Sequence, residues 1–160
     1  MEIEKVGVLV NIRSAHNTGA IFRSADGAGF SKLFLVGITP TPKDRFGRER
    51  RDIAKTALGA QKSIDWKHFG SISEVLSELK REGFFTVAVE QSKNSKDFEI
   101  LRNMRKKKIA LFVGSETEGI SEEVLQQVDM VVEIPMRGVK NSLNVACAFS
   151  IVAYTVKDEI

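Results

Sequence analysis

The sequence predicts an α/β fold with a mainly parallel β-sheet and helices on both faces. Apolar, β-rich runs occupy residues 6–12, 33–38, 84–89 and 109–113, and residues 131–136 add a fifth. These runs are nearly continuous rather than alternating, which is typical of parallel strands that are covered on both faces. Helical patterns separate them, so strands and helices alternate along the chain.

The helical patterns lie at residues 18–28, 48–58, 73–81, 121–128 and 142–157. Asn17 or Thr18 can cap the first helix, and Gly29 can end it. Ser121 is placed to cap the fourth helix, and the third has Val75 and Leu79 on one face.

Composition indicates one globular domain over residues 1–160, since 42% of the residues are hydrophobic and 28% charged. The single cysteine, Cys147, lies in an apolar helical run, so we expect it to be buried, with no disulfide framework and no metal centre. No secretory leader is visible, and the longest apolar stretch, residues 145–156, is too short to span a bilayer. We therefore expect a cytoplasmic protein without a membrane partner.

Basic residues form two clusters although the net charge is only +3. Acidic neighbours weaken the field of each cluster, and charge runs are often plain solvated surface. Two clusters nevertheless favour a phosphate-rich partner such as RNA. The first cluster contains Lys43, Arg45, Arg48, Arg50 and Arg51, and the second Arg102, Arg105, Lys106, Lys107 and Lys108.

A glycine-containing turn, residues 114–121, follows the fourth apolar run and has the glycine spacing of a phosphate-binding loop. Ile120 stands where the phosphate-binding lysine would be, and Glu116 and Glu118 would repel a polyphosphate. A surface turn is one interpretation of this segment. If it binds a ligand, a neutral or cationic one such as a sulfonium fits better than ATP or GTP.

Polar residues precede two of the predicted helices. Arg13 and His16 come before the first, where exposed N–H groups could hold a phosphate oxygen, although a solvated histidine is the simpler interpretation of His16. Arg23 lies three residues before Asp26, which is also compatible with an exposed ion pair. Asn141, Ser142 and Asn144 come before the last helix, and capping explains one of these three polar residues, for which Asn141 is available.

Three ordered segments carry a family resemblance. They are Asn17-x-Gly19-x-x-x-Arg23, then Phe112-Val-Gly-Ser-Glu116-x-x-Gly119, then Ile134-Pro-Met followed by Ser142-Leu-Asn144-Val. Together they resemble the motifs of the SpoU/TrmH family of RNA ribose 2′-O-methyltransferases, in the SPOUT superfamily. The resemblance implies a deep C-terminal trefoil knot, S-adenosylmethionine as cofactor, and a homodimer whose active site uses residues of both subunits.

The resemblance also implies roles for individual residues. Arg23, Glu116, Ser142 and Asn144 would form the catalytic neighbourhood, with Asn17 supporting Arg23. A role for arginine as a general base is energetically demanding. To be neutral near pH 7, its guanidinium would need a pKa lowered by about five units, which costs on the order of 7 kcal/mol. Arg23 could instead hold a phosphate and orient the 2′-hydroxyl. The implied cofactor pocket consists of Val89, Gly114, Ile134, Met136, Ser142 and Leu143.

The sequence shows no appended N-terminal RNA-binding domain, which favours tRNA over rRNA as the substrate. Arg13, His16, Arg45, Arg48, Arg50 and Arg51 are then the expected RNA contacts. Two alternatives remain at this point. One is a non-catalytic RNA-binding module with the same fold, and the other is methylation of a base nitrogen, against which Ser142-Leu143-Asn144 favours the ribose.

Overall fold

The computed structural model describes residues 2–158. Its seven strands are β1 (Glu4–Val10), β2 (Lys32–Val36), β3 (Asp65–Phe69), β4 (Phe85–Val89), β5 (Lys96–Asp97), β6 (Lys108–Gly114) and β7 (Met130–Glu133). They form one sheet in the order β3-β2-β1-β6-β4-β7-β5, in which every neighbouring pair is parallel. The predicted parallel α/β architecture is therefore confirmed, and the sheet is wholly rather than mainly parallel.

Helices cover both faces of this sheet. They are α1 (Ala15–Gly27), α2 (Arg51–Ala57), α3 (Ala60–Ser63), α4 (Ile72–Arg81), α5 (Glu122–Leu125) and α6 (Val145–Ala153), and a 3₁₀ helix spans Phe98–Asn103. Within residues 2–158, no helix is long and apolar enough to cross a bilayer.

Two apolar layers sandwich the sheet, because alternate strand residues point to opposite faces. On β1, Val8 faces the layer that contains Leu79 of α4, whereas Leu9 faces the layer that contains Phe22 of α1 and Phe149 of α6. All five side chains are fully buried. Each central strand is thus covered twice, which explains its continuous apolar sequence.

Strand β3 was absent from the predicted elements for a physical reason. Its sequence, Asp-Trp-Lys-His-Phe, is mostly polar and exposed because β3 lies at one edge of the sheet and, among the described strands, pairs only with β2. Strand β5 was also missed, since two residues are too few to show a pattern. The boundaries of the predicted elements differ by a few residues, and the last helix is shorter than expected.

Two local predictions were wrong. Ser14 caps α1, since its hydroxyl oxygen accepts the backbone N–H of Asn17 at 3.0 Å, so neither Asn17 nor Thr18 is the cap. Cys147 is exposed on α6, because the helix buries Ala146 and Phe149 on its other side. The cap predicted at Ser121 is confirmed, and Gly29, at φ +77°, follows the C-cap residue Ala28 just beyond the end of α1, as predicted.

Gly19 lets α1 and α2 approach closely. A Cβ atom at this position would collide with the carbonyl oxygen of Ile53 and the hydroxyl of Thr56. The Thr56 hydroxyl also donates to the carbonyl of His16 at 2.9 Å. The glycine of the first motif is therefore a packing residue that fixes α2 beside the start of α1.

A charged contact joins the end of the described chain to β1. Lys5 is 5% exposed, and its Nζ lies 3.3 Å from Asp158 Oδ2 and 3.2 Å from the carbonyl oxygen of Ala28. Asp158 Oδ1 also accepts the backbone N–H of Ile3 at 2.8 Å. The Ile3 N–H and the Lys5 ammonium hold the pKa of Asp158 below its ordinary value of 3.8.

We predict that Asp158→Asn lowers the free energy of unfolding by about 1 kcal/mol at pH 7, a modest value because the carboxylate is half exposed. Since the pKa of Asp158 is lowered by folding, its contribution is complete above about pH 4 and is lost as the pH falls through the folded pKa. Denaturant unfolding at pH 7 and pH 3 measures this. Asp65→Asn, an exposed carboxylate at the sheet edge, is the control, and equal stability of both variants at pH 7 would contradict the prediction.

Candidate active site

A cavity of about 410 Å³ opens at the carboxyl ends of β4, β6 and β7. Its walls are the loops that follow these three strands and the start of α6. In open parallel sheets, ligands bind at this edge, where loops from neighbouring strands converge. The volume lies in the range of small-molecule sites.

All the residues predicted to bind a cofactor line this cavity. They come from the ends of β4 and β6, the segment after β7, and the approach to α6: Val89, Gly114, Ile134, Met136, Ser142 and Leu143. Glu116 lines it as well. Residues far apart in the sequence are thus brought to one place.

The cavity has acidic walls, of which the sequence patterns revealed only Glu116 and Glu118. Glu90, Glu122 and Glu133 line it as well. Glu90 and Glu133 each stand at the end of a parallel strand, a position that could have singled them out. So many carboxylates favour a cationic ligand over a polyphosphate.

Glu116 is the centre of a polar cluster at the rim of the cavity. Its Oε1 accepts hydrogen bonds from Asn17 Nδ2 and from Asn144 Nδ2, both at 3.2 Å. Asn144 Nδ2 also donates to Asn17 Oδ1 at 3.1 Å. One residue of each sequence motif therefore meets the other two here, although 127 positions separate Asn17 from Asn144.

Asn144, and not Asn141, caps α6. Its Oδ1 accepts the backbone N–H groups of Ala146 at 2.9 Å and Cys147 at 3.3 Å. Asn141 instead offers its carbonyl oxygen to Gln91 Nε2 at 2.6 Å, which ties this loop to the end of β4. Asn144 thus both caps the helix and joins the Glu116 cluster.

The turn after β6 is held in one compact shape. The backbone N–H of Gly119 donates to the carbonyl of Ser115 at 2.7 Å, and Gly119 has φ +62°. Glu90 Oε2 accepts the N–H of Ile120 at 3.1 Å. A Cβ atom at Gly114 would collide with the backbone of Gly119, so both glycines are required for this turn.

Arg23 lies away from this cluster. It is exposed and lines a separate depression together with Lys55, Leu58 and Tyr154. Within residues 2–158 it forms no hydrogen bond and no ion pair. Asp26 accepts a hydrogen bond from the Ser63 hydroxyl at 2.9 Å, so the simple Arg23–Asp26 pair is not formed. The amide of Asn17 is likewise directed to Glu116 and Asn144 rather than to Arg23.

The predicted RNA contacts lie on exposed loops and helix starts, and several are paired. Arg13 Nη2 lies 3.4 Å from Glu118 Oε1, and Arg48 Nε lies 3.0 Å from Asp44 Oδ2. Arg50 binds Asp52 through Nε at 3.2 Å and Nη2 at 2.6 Å. The side chains of His16, Arg45 and Arg51 are exposed.

Comparison with known families and proteins gives a consistent result. The model of the SpoU rRNA methylase family matches residues 5–154. A Staphylococcus aureus protein assigned to the TrmH family of tRNA/rRNA methyltransferases is 31% identical over 155 residues, which are 96% of this chain and 58% of that protein. This chain thus spans little more than half the length of that relative.

Solved structures show the same architecture. The AdoMet-bound rRNA methyltransferase from Sinorhizobium meliloti superposes with a TM-score of 0.85 at 26% identity, covering 98% of this chain and 56% of that one. A structure described in terms of 2-OH methylation of C/U34 on tRNA has a TM-score of 0.80 at 25% identity. That alignment covers 96% of this chain and 94% of the other.

The two tasks of Asn144 can be separated by substitution. Asn144→Ala removes the helix cap and should lower the free energy of unfolding by about 1 kcal/mol, whereas Asn144→Ser keeps a capping oxygen and should cost only a few tenths. Thermal and denaturant unfolding measure the difference. Ser142→Ala, which removes no cap, serves as control. Equal destabilisation by Ala and Ser at position 144 would show that capping does not matter here.

Proposed function

The chain belongs to the SpoU rRNA methylase family, and from this premise we propose that it transfers a methyl group from S-adenosylmethionine to a ribose 2′-oxygen of RNA. Family membership confirms the resemblance inferred from the three motifs. The observation that carries the proposal is the single cavity in which the second and third motifs meet, with Asn17 of the first motif bonded to its rim.

The cavity suits S-adenosylmethionine in size and charge. Val89, Ile134 and Leu143 offer apolar walls, and Glu90 and Glu133 supply negative charge for a cation. The bound cofactor supplies an electrophilic methyl group on a positively charged sulfur.

The residues of the chain then have distinct tasks. Glu116, held by Asn17 and Asn144, fixes the turn after β6 against the start of α6 and so keeps the cavity in shape. Arg23 is exposed, and arginine keeps its charge in proteins, which favours the phosphate-holding role over that of a base. In this role it grips a phosphate next to the target ribose and orients the 2′-hydroxyl.

We infer a deep trefoil knot in the C-terminal part. The sheet order places β4 between β6 and β7, and the chain after β7 must return across the end of β4 to reach α6, which packs beside α1. A hydrogen bond from Gln91 to Asn141 joins the segment after β4 to the segment after β7.

A homodimer completes the proposed site. Arg23 lies beside Leu58 and Tyr154, which are 65% and 57% exposed although they are large and partly apolar. Ile151, one turn before Tyr154 on α6, is 40% exposed. Exposed apolar residues grouped around a basic side chain suit a second copy of the chain, which would bring Arg23 to the partner's cavity.

Transfer RNA is the favoured substrate. The structure described for 2-OH methylation of C/U34 on tRNA superposes on this chain with a TM-score of 0.80 and covers 96% of it. The exposed Arg13, His16, Arg45 and Arg51 would supply the sequence-independent part of RNA binding, in a protein that we expect in the cytoplasm.

We predict that the purified protein binds S-adenosylmethionine and methylates the 2′-oxygen of a tRNA nucleotide. Calorimetry measures the first, and mapping of labelled methyl groups on total tRNA and rRNA measures the second. Ile134→Trp should abolish cofactor binding by filling the cavity, with Ile100→Trp, at an exposed site elsewhere, as control. Methyl incorporation at a base atom would contradict the ribose assignment, and no cofactor binding would contradict any methyl transfer.

The shared site can be tested with mixed dimers. Co-expressed Arg23→Ala and Ile134→Trp chains, isolated as a heterodimer, should have about half the wild-type activity, because one site then combines an intact cavity with an intact arginine. Each homodimeric variant should be inactive. An inactive heterodimer would indicate that Arg23 acts within its own subunit.

A further inference from the structure

The loop between β2 and α2 presents an aromatic side chain to solvent. Phe46, at its tip, is 66% exposed and stands between Arg45 and Arg48. Large aromatic side chains normally bury their rings, and an isolated exposed phenylalanine would be unremarkable on a mobile loop. Here the loop has a defined shape.

Asp44 fixes that shape. Its Oδ1 accepts the backbone N–H of Phe46 at 2.8 Å and that of Arg48 at 3.0 Å, and its own N–H donates to the carbonyl of Arg48 at 2.9 Å. The Arg48 N–H is the main reason that the pKa of Asp44 lies below its ordinary range. Gly47, at φ +76°, makes the tight turn. The exposure of Phe46 is therefore built into the loop.

The two arginines extend the aromatic surface. The guanidinium of Arg45 lies 4.7 Å from the centroid of the Phe46 ring, and that of Arg48 lies 5.0 Å from it. Arg48 is also bonded to Asp44, whereas the ring is the one partner of the Arg45 side chain within residues 2–158. Flat guanidinium groups next to a ring combine stacking surface with donors for phosphate.

The loop leaves the sheet at the same edge as the cavity. It follows the carboxyl end of β2, two strand positions from β6, which corresponds to about 10 Å. At its other end it leads into α2, which packs on α1, the helix that carries Asn17 and Arg23. The loop therefore begins at the edge of the sheet where RNA would enter the proposed site.

We propose that Phe46 is a stacking platform for an unpaired base of the RNA, with Arg45 and Arg48 holding the adjacent phosphates. This inference rests on the proposed function and specifies how the substrate is recognised. Unpaired bases stack on aromatic rings and guanidinium planes, whereas bases within a duplex are not accessible in this way. An acidic protein partner would use the arginines but has no need of the ring.

The test measures binding of a single-stranded RNA of roughly ten nucleotides, and of a duplex of the same length, to the full chain. Phe46→Leu keeps an apolar side chain but removes the ring, and should weaken single-strand binding at least about fivefold. Phe46→Tyr should bind like the wild type. Arg45→Ala should also weaken binding. Its control is Arg81→Ala, at the C-terminal end of α4, which removes one surface charge outside the loop.

A spectroscopic signal tests stacking directly. In the Phe46→Trp, Trp66→Phe chain the sole tryptophan occupies position 46, and stacking of a base should quench its fluorescence when single-stranded RNA is added. Wild-type affinity in Phe46→Leu, an equal loss on the duplex, or no quenching would overturn the proposal.

Measured affinity for S-adenosylmethionine separates failure of the stacking platform from failure of the proposed methyl transfer. If S-adenosylmethionine binds and RNA is methylated while Phe46→Leu behaves as wild type, the stacking platform alone is refuted. If the wild-type chain binds neither the single-stranded RNA nor the duplex, the platform and the RNA substrate are both refuted. Unchanged cofactor affinity in every Phe46 variant, together with selective loss of single-strand binding, supports the platform.

Discussion

The Glu116 carboxylate joins the parts of the chain on which the proposed site depends. One oxygen accepts hydrogen bonds from Asn17 on α1 and from Asn144 at the start of α6, and it lies 3.5 Å from the backbone nitrogen of Val145. A turn that follows β6 is thereby fixed to two helices on one face of the sheet. The donors thus come from two side chains and from the backbone at the start of α6.

The parallel sheet explains why this junction can exist at all. Every strand of the sheet runs in the same direction, so the loops after β4, β6 and β7 emerge at one edge and share one cavity. Packing on both faces leaves this edge as the place where polar side chains can gather without entering the core. The same geometry brings the loop of Phe46 to the side of the site.

The sequence alone predicted the elements that repeat a strong pattern and missed those that do not. Continuous apolar runs identified the central strands, but the polar edge strand β3 has no such run. The residues assigned to a cofactor from the motifs line one cavity, and their role in binding it stays a prediction. Spacing could not show that Asn17 faces Glu116 while Arg23, six residues later on the same helix, faces another surface, because that depends on how α1 is rotated against the sheet.

Charge at the sheet edge has a consequence for how copies of this chain can associate. Among the described residues, strand β3 has one side without a partner strand, and its exposed Asp65, Lys67 and His68 place charged or polar groups along it. The opposite edge, β5, is only two residues long. Joining two sheets into a continuous one would bury those charges or gain almost no backbone hydrogen bonds. Edge-to-edge aggregation is therefore disfavoured, which leaves the surface around Arg23 and Tyr154 for the proposed homodimer.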